Sequence, residues 1–207
     1  NKKLIIFGVG GHCKVVIDAA KLNGIQIKGI ITDLFKSRKN DSYFKVPILG
    51  NINFIKKIDL RKYFFIVAIG DNSHRAKIYN LLKKRSAKFI SVIHPTATVS
   101  ESAYIKPGCF INAKAIINAN SKISENTIIN TDVLIEHDVN IGKNCHIAPS
   151  AKIGGGASIM DNSFIGMGSI LINKIKVGKK VIVGAGSIIF RNLKSNKKFV
   201  GYTKEIK

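Results

Sequence analysis

The sequence predicts two units in tandem: a small α/β domain with a Rossmann-like parallel sheet, then a parallel β-helix of hexapeptide repeats. Three observations predict this. From Val99 onward every sixth residue is aliphatic, and a smaller side chain stands two places before almost every one of them. The residues before the repeat instead alternate strand-like and helix-like apolar patterns.

The aliphatic series runs Val99, Ile105, Ile111, Ile117, Ile123, Ile129, Ile135, Ile141, Ile147, Ile153, Ile159, Ile165, Leu171, Val177, Val183, Ile189, sixteen positions without a break. The residue two before each is mostly Ala, Ser, Thr, Cys or Val, with Ile175 the one large exception. Alternation along an extended chain turns both members of a pair to the same side. A turn then redirects the chain and the next six residues repeat the arrangement. Three such stretches close a triangular coil of about eighteen residues, and coils stack as parallel strands about 4.8 Å apart. A helix is excluded, because a period of six does not stay on one face of a 3.6-residue spiral. The repeat has room for about five coils of eighteen residues. Cys109 and Cys145 fall on small inward positions, so they are packing residues. With Cys13 they form no C-x-x-C pair and no zinc-like spacing, which predicts free thiols.

Residues 1–92 read as the α/β domain, 93–192 as the β-helix and 193–207 as a C-terminal tail. LIIFG is a buried strand, followed by the glycine turn GVGGH (Gly8 to His12) and a helix around Lys14 to Leu22. IQIKGIITD is a second strand ending at Asp33, and FFIVAIG a third ending at Gly70. DNSHRAKIYNLLKK is a helix with caps available from Asp71 to Ser73. AKFISVIH leads into the repeat, with His94-Pro95 marking the junction. In such a sheet a ligand sits at the strand C-termini. That places Gly10, Gly11, His12, Asp33, Gly70, Asp71 and Asn72 around one site. Glycines there let backbone approach a phosphate at a helix N-terminus. Cys13 stands where a dinucleotide fingerprint needs its last glycine, so a mononucleotide fits better than NAD, and a plain tight turn would use the same residues.

With 34 basic and 12 acidic residues the formal charge is +22. The lysines are scattered and no nucleic-acid-binding motif accompanies them, so no nucleic acid partner is expected. The field suits smaller polyanions such as nucleotides and coenzyme A. No apolar run is long enough to span a membrane and no signal-peptide pattern is present, which predicts a cytoplasmic protein.

GVGGH, ITD and AIGDNSHRAKIY in front of a hexapeptide ruler, with IEHD and a second histidine inside it, make a specific combination. It resembles the bacterial nucleotide-sugar N-acetyltransferases of bacillosamine and perosamine type, within the sialic acid O-acetyltransferase-like family. The resemblance covers nearly the whole chain. It implies left-handed winding, a nucleotide-sugar site in the first domain, acetyl-CoA on the β-helix, no metal, and a homotrimer with active sites between subunits.

The repeat register places the histidines without a template. His137 lies two residues after Ile135 and points outward, and one coil further on stands Gly155. A base and an unblocked backbone N–H would then face one groove, the minimum for acyl transfer. By resemblance His137 is the general base and Asp138 orients it. The resemblance also gives the Gly155 N–H to the thioester oxygen, His146 to the thiol end of acetyl-CoA, and Asn130 to the sugar. His12 is a candidate substrate contact, while His74 and His94 read as structural. The tail KFVGYTKEIK lacks the proline-alanine pair that this superfamily carries near coenzyme A. Three other readings compete: sugar O-acetylation, a non-enzymatic polyanion binder, and a zinc hydratase. The last needs three histidines, two of them five apart, whereas the repeat offers only His137 and His146, nine apart.

Overall fold

The computed structural model describes residues 3–33, 42–201 and 204–206. Strands β1 (Lys3–Phe7), β2 (Ile27–Ile31), β3 (Ser42–Tyr43), β4 (Val46–Gly50), β5 (Tyr63–Val67) and β6 (Lys88–Phe89) form one sheet in the order β3-β4-β2-β1-β5-β6. All neighbours are parallel except the short edge pair β3–β4. The segment VPILG, with a proline that weakens its strand pattern, is an additional strand that periodicity missed.

Helix α1 spans Gly11–Leu22 and so begins three residues earlier than its apolar period suggests. Gly10 precedes it at φ 149°, a left-handed conformation suited to glycine. Gly8 is needed for a different reason: a Cβ there would lie 2.7 Å from the Ala68 carbonyl oxygen, so only glycine lets this turn lie against the end of β5. Helix α2 spans Asn72–Lys84, and the Asp71 carboxylate caps it by accepting from the His74 N–H at 2.7 Å.

The repeat forms a triangular prism with three parallel sheets. The first face carries Val92–Ile93, Phe110–Ile111, Ile128–Ile129, His146–Ile147, Phe164–Ile165, Ile182–Val183 and Lys198–Val200, edged by Lys204–Ile206. The second carries Thr98–Val99, Ile116–Ile117, Leu134–Ile135, Lys152–Ile153, Ile170–Leu171 and Ile188–Ile189. The third carries Tyr104–Ile105, Lys122–Ile123, Asn140–Ile141, Ser158–Ile159 and Lys176–Val177. Partners stack at intervals of eighteen residues, for example Ile117 on Ile135 and Ile135 on Ile153. The aliphatic ruler and its small partners form one continuous core, and the ruler starts one rung earlier than expected, at Ile93. Cys109 and Cys145 lie within it with thiols pushed up to about 12 by burial, which removes their nucleophilicity at neutral pH.

Outward residues on the first face bind the two units together. Val92, Phe110 and Ile128 are buried against Cys13, Val16 and the rest of the apolar side of α1. At 1–2% exposure, Phe110 and Ile128 each contribute about 1.5–3 kcal/mol from burial. The N-terminal domain is thereby seated on the first face.

Candidate active site

Two clusters emerge. One lies in and below the N-terminal domain, where a cleft of about 270 Å³ is lined by Gly8 to His12, Thr32, Asp33, Ala68 to Gly70 and His74. Gly10, Gly11, His12, Asp33 and Gly70 therefore share one wall, as strand order predicts. Asp33 is exposed and accepts from the Ile52 N–H at 3.3 Å, which fixes one of its oxygens. His74, read as structural from the sequence, also faces this cleft. The His94 ring, by contrast, is taken up locally, with Nδ1 accepting from the Thr96 N–H at 3.1 Å.

Next to the cleft, sharing Gly70, lies a second cavity of about 730 Å³ between α2 and the first face. Its lining includes Asp71, Asn72, His146, Phe164 and Lys180. Both ring nitrogens of His146 have partners within the chain: Nδ1 lies 3.2 Å from the Gly70 carbonyl and Nε2 lies 3.2 Å from Asn130 Nδ2. A carbonyl only accepts, so Nδ1 carries the proton and Nε2 accepts from the Asn130 amide. Burial, with the nearby Arg75 cation, pushes His146 down to about 4. Burial drives the neighbouring His12 down to about 3, with His146 and Arg75 adding to the effect. Its Nε2 is buried without a hydrogen-bond partner, and its ring packs edge-on against Phe110 at 5.2 Å. Burial thus favours the neutral form of both histidines.

The other cluster occupies the turn between the second and third faces. There His137 Nδ1 lies 2.8 Å from Asp138 Oδ2, both side chains more than half exposed. The hydrogen bond from His137 holds the Asp138 carboxyl below its usual range. With Nδ1 serving Asp138, Nε2 is the free ring nitrogen. A Cβ on Gly155 would lie 2.8 Å from that atom, so the imidazole rests directly on the glycine one coil below. The stacking follows the eighteen-residue register, but the donor does not stand open: the Gly155 N–H is bonded to Asn173 Oδ1 at 3.1 Å, and Gly155 is buried. The expectation of an unblocked N–H is corrected accordingly. Asn173 is the residue at the same turn position one coil further on, a stacking partner that the eighteen-residue step could have identified.

The structure does not bring the two clusters together. His146 and Asn130 belong to the first face and its edge, whereas the His137 turn is the corner opposite that face in a three-sided prism. Arg75, Thr32, Phe164 and Lys180 also line or support the first cluster, and the sequence reading missed all four. Phe164 carried a signal, because the outward positions of every third hexapeptide (Val92, Phe110, Ile128, His146, Phe164, Ile182) are apolar or histidine.

A single-chain α/β domain seated on a parallel β-helix, with a histidine–aspartate pair on a turn, defines a hexapeptide-repeat acyltransferase. Comparison with known proteins bears on this at each level. Residues 3–82 match the PglD N-terminal domain family, residues 120–155 the bacterial transferase hexapeptide (six repeats), and residues 156–191 the hexapeptide repeat of succinyl-transferase. The solved perosamine N-acetyltransferase PerB of Caulobacter crescentus, in complex with CoA and GDP-perosamine, is 30% identical with a TM-score of 0.91, covering 99% of this chain and 97% of that one. The acetyltransferase domain of PglB from Neisseria gonorrhoeae, in complex with acetyl coenzyme A, is 31% identical with a TM-score of 0.92 over 100% of both chains. UDP-N-acetylbacillosamine N-acetyltransferase of Bacillus subtilis is 32% identical over 108 residues, 52% of this chain and 50% of that protein. The chain spans half or less of the length of the curated relatives it matches. The chain belongs to the bacterial nucleotide-sugar N-acetyltransferase family with a PglD-type N-terminal domain and a left-handed β-helix of hexapeptide repeats.

Proposed function

We propose that this protein transfers acetyl directly from acetyl-CoA to the 4-amino group of a nucleotide-linked 4-amino-4,6-dideoxy sugar. The observation that carries the assignment of the base is the His137–Asp138 bond of 2.8 Å with Nε2 turned over Gly155. The Asp138 carboxylate keeps the Nδ1–H tautomer, so His137 takes a proton from the attacking amine at Nε2. The amine nitrogen forms its bond to the thioester carbonyl carbon, the C–S bond breaks, and His137 passes the proton to the departing sulfur. The Gly155 N–H supports the carbonyl oxygen as charge builds on it, once Asn173 yields that donor. Gly10, Gly11, His12, Asp33, Gly70, Asp71 and Asn72 hold the nucleotide sugar, Asn130 lies toward the sugar, and His146 walls the acetyl-CoA side.

The opposite placement of the two clusters supports a homotrimer, in which the cleft of one subunit faces the His137 corner of its neighbour. One chain cannot fold its own cleft around its own prism. Among the described residues no helix is long and apolar enough to cross a membrane. The use of acetyl-CoA supports a cytoplasmic reaction.

The test is thiol release from acetyl-CoA against UDP-, GDP- and dTDP-linked 4-amino sugars. Turnover with one of them, reduced about 10²–10⁴-fold in His137→Ala, is the expected result. Turnover only with hydroxyl acceptors would replace the reading with O-acetylation.

A further inference from the structure

Arg75 is the largest fully buried side chain, at 1% exposure, and no ion pair among the described residues includes it. Its guanidinium is instead spent on oxygens from both units. Nε donates to the Asn126 carbonyl at 3.0 Å, and one terminal nitrogen donates to the Ile69 and Gly70 carbonyls, each at 3.0 Å. The other terminal nitrogen meets Asn72 Oδ1 at 2.8 Å and the Asn144 and Cys145 carbonyls at 2.9 Å. A buried cation without a carboxylate partner is costly, and ordinary domain docking does not require one.

Its contacts converge on the substrate cavity. Gly70 is the residue whose carbonyl accepts from His146 Nδ1–H, and Cys145 directly precedes His146. His146 Nε2 in turn accepts from Asn130 Nδ2, while Asn130 Oδ1 accepts from Asn112 Nδ2 at 3.0 Å and from the Thr131 N–H at 2.8 Å. Every member of this chain has one donor–acceptor sense, held at one end by the Gly70 carbonyl that Arg75 anchors and at the other by the Thr131 N–H, which can only donate to Asn130 Oδ1. The result is an Asn130 amide with its oxygen turned inward and one N–H left over.

We propose that Arg75 is a positioning residue for substrate recognition: by fixing the Gly70 carbonyl it locks His146 as the Nδ1–H tautomer, and His146, together with the Thr131 N–H, holds Asn130 so that it presents a hydrogen-bond donor, not an acceptor, to an oxygen of the sugar. This rests on the nucleotide-sugar reading above. It selects for an acceptor oxygen where Asn130 meets the sugar. The charge on Arg75 also helps to exclude a second proton from His146, which would abolish the acceptor that Asn130 needs. The other titratable or charged groups around His146 are His12 from α1, Asp71 at the start of α2, and Lys180 and the neutral Cys145 thiol from the β-helix.

The experiment records ring ¹⁵N signals of His146 in the unliganded full-length protein and in Arg75→Lys, which keeps the charge but lacks the planar fork. The wild type should show a single Nδ1–H neutral tautomer. Arg75→Lys should show mixed tautomers and a KM for the nucleotide sugar raised at least fivefold, with kcat changed less than twofold. A variant that melts earlier yet keeps the single tautomer and the KM would reduce Arg75 to a domain clamp and overturn the proposal. Should Arg75→Lys not fold, His146→Gln and His146→Leu decide: only glutamine can donate to Gly70 and accept from Asn130. A KM at least fivefold lower in the glutamine variant supports the relay, and equal KM values refute it. If no amino sugar in the panel is turned over, the ring signals still decide the relay while the substrate reading alone fails.

Discussion

Replacing Gly155 with alanine separates catalysis from stability in one step. The added Cβ falls 2.8 Å from His137 Nε2, 2.9 Å from Cε1 and 3.3 Å from Cδ2. Ordinary carbon contacts lie at about 3.5–4.0 Å, so the ring must retreat by about 1 Å. Gly155 is not among the residues at positive φ, so its backbone accepts alanine without strain. The His137 side chain is 63% exposed and can swing toward solvent, which keeps the stability change within about 0.5 kcal/mol. The chemistry is less tolerant. A reacting group misplaced by about 1 Å costs about 10²-fold in rate, equivalent to about 2.7 kcal/mol of transition-state stabilisation. Thiol-release kinetics beside a thermal melt would therefore show kcat/KM down about a hundredfold and a melting temperature moved by no more than about 2 °C. Activity within threefold of wild type would refute His137 as the base in this position. Loss of folding would refute the view that the imidazole, rather than the coil, gives way.

Other consequences follow from the same geometry. Asn173→Ala frees the Gly155 N–H from its 3.1 Å bond, so kcat/KM for acetyl-CoA should rise about two- to tenfold, matching one hydrogen bond of about 0.5–1.5 kcal/mol; a fall would exclude that N–H from the site. Asp138→Asn puts an amide against His137 Nδ1 that can donate as well as accept. The resulting mixture of tautomers should lower kcat about tenfold or more, and full activity would remove Asp138 from the mechanism. Stability should depend on pH through the buried pair, His12 at about 3 and His146 at about 4. Unfolded histidine titrates near 6.5, so between about 6.5 and 3–4 the unfolded chain binds more protons. The stability is therefore complete above that window and lost as pH falls through it, by about 3 kcal/mol for His146 alone. A melt series across pH 4–7 should be flatter for His146→Gln than for wild type, and identical slopes would contradict the burial effect.

The repeat was legible from sequence because its core is local in register. One aliphatic residue every six and a small one two before it specify the coil, and adding eighteen predicts stacking, which sets His137 on Gly155. The turn chemistry at Asp71 was legible for the same local reason. The α/β domain was less so: VPILG carries a proline and no alternation, and its strand character comes from β2 beside it. What lies between distant segments was not legible at all. Arg75 looks like one more surface cation in DNSHRAKIY, and only the packing of α2 on the first face buries it. The engagement of His146 depends on the Gly70 carbonyl, 76 residues away in sequence. The prism, its period and the outward histidine are written into the residue order, because they depend on short-range alternation and repeated spacing. Which carbonyl meets which ring nitrogen, and the placing of the two clusters on opposite sides of one chain, come from the packing, because burial and hydrogen-bond partnership are set where separate elements meet.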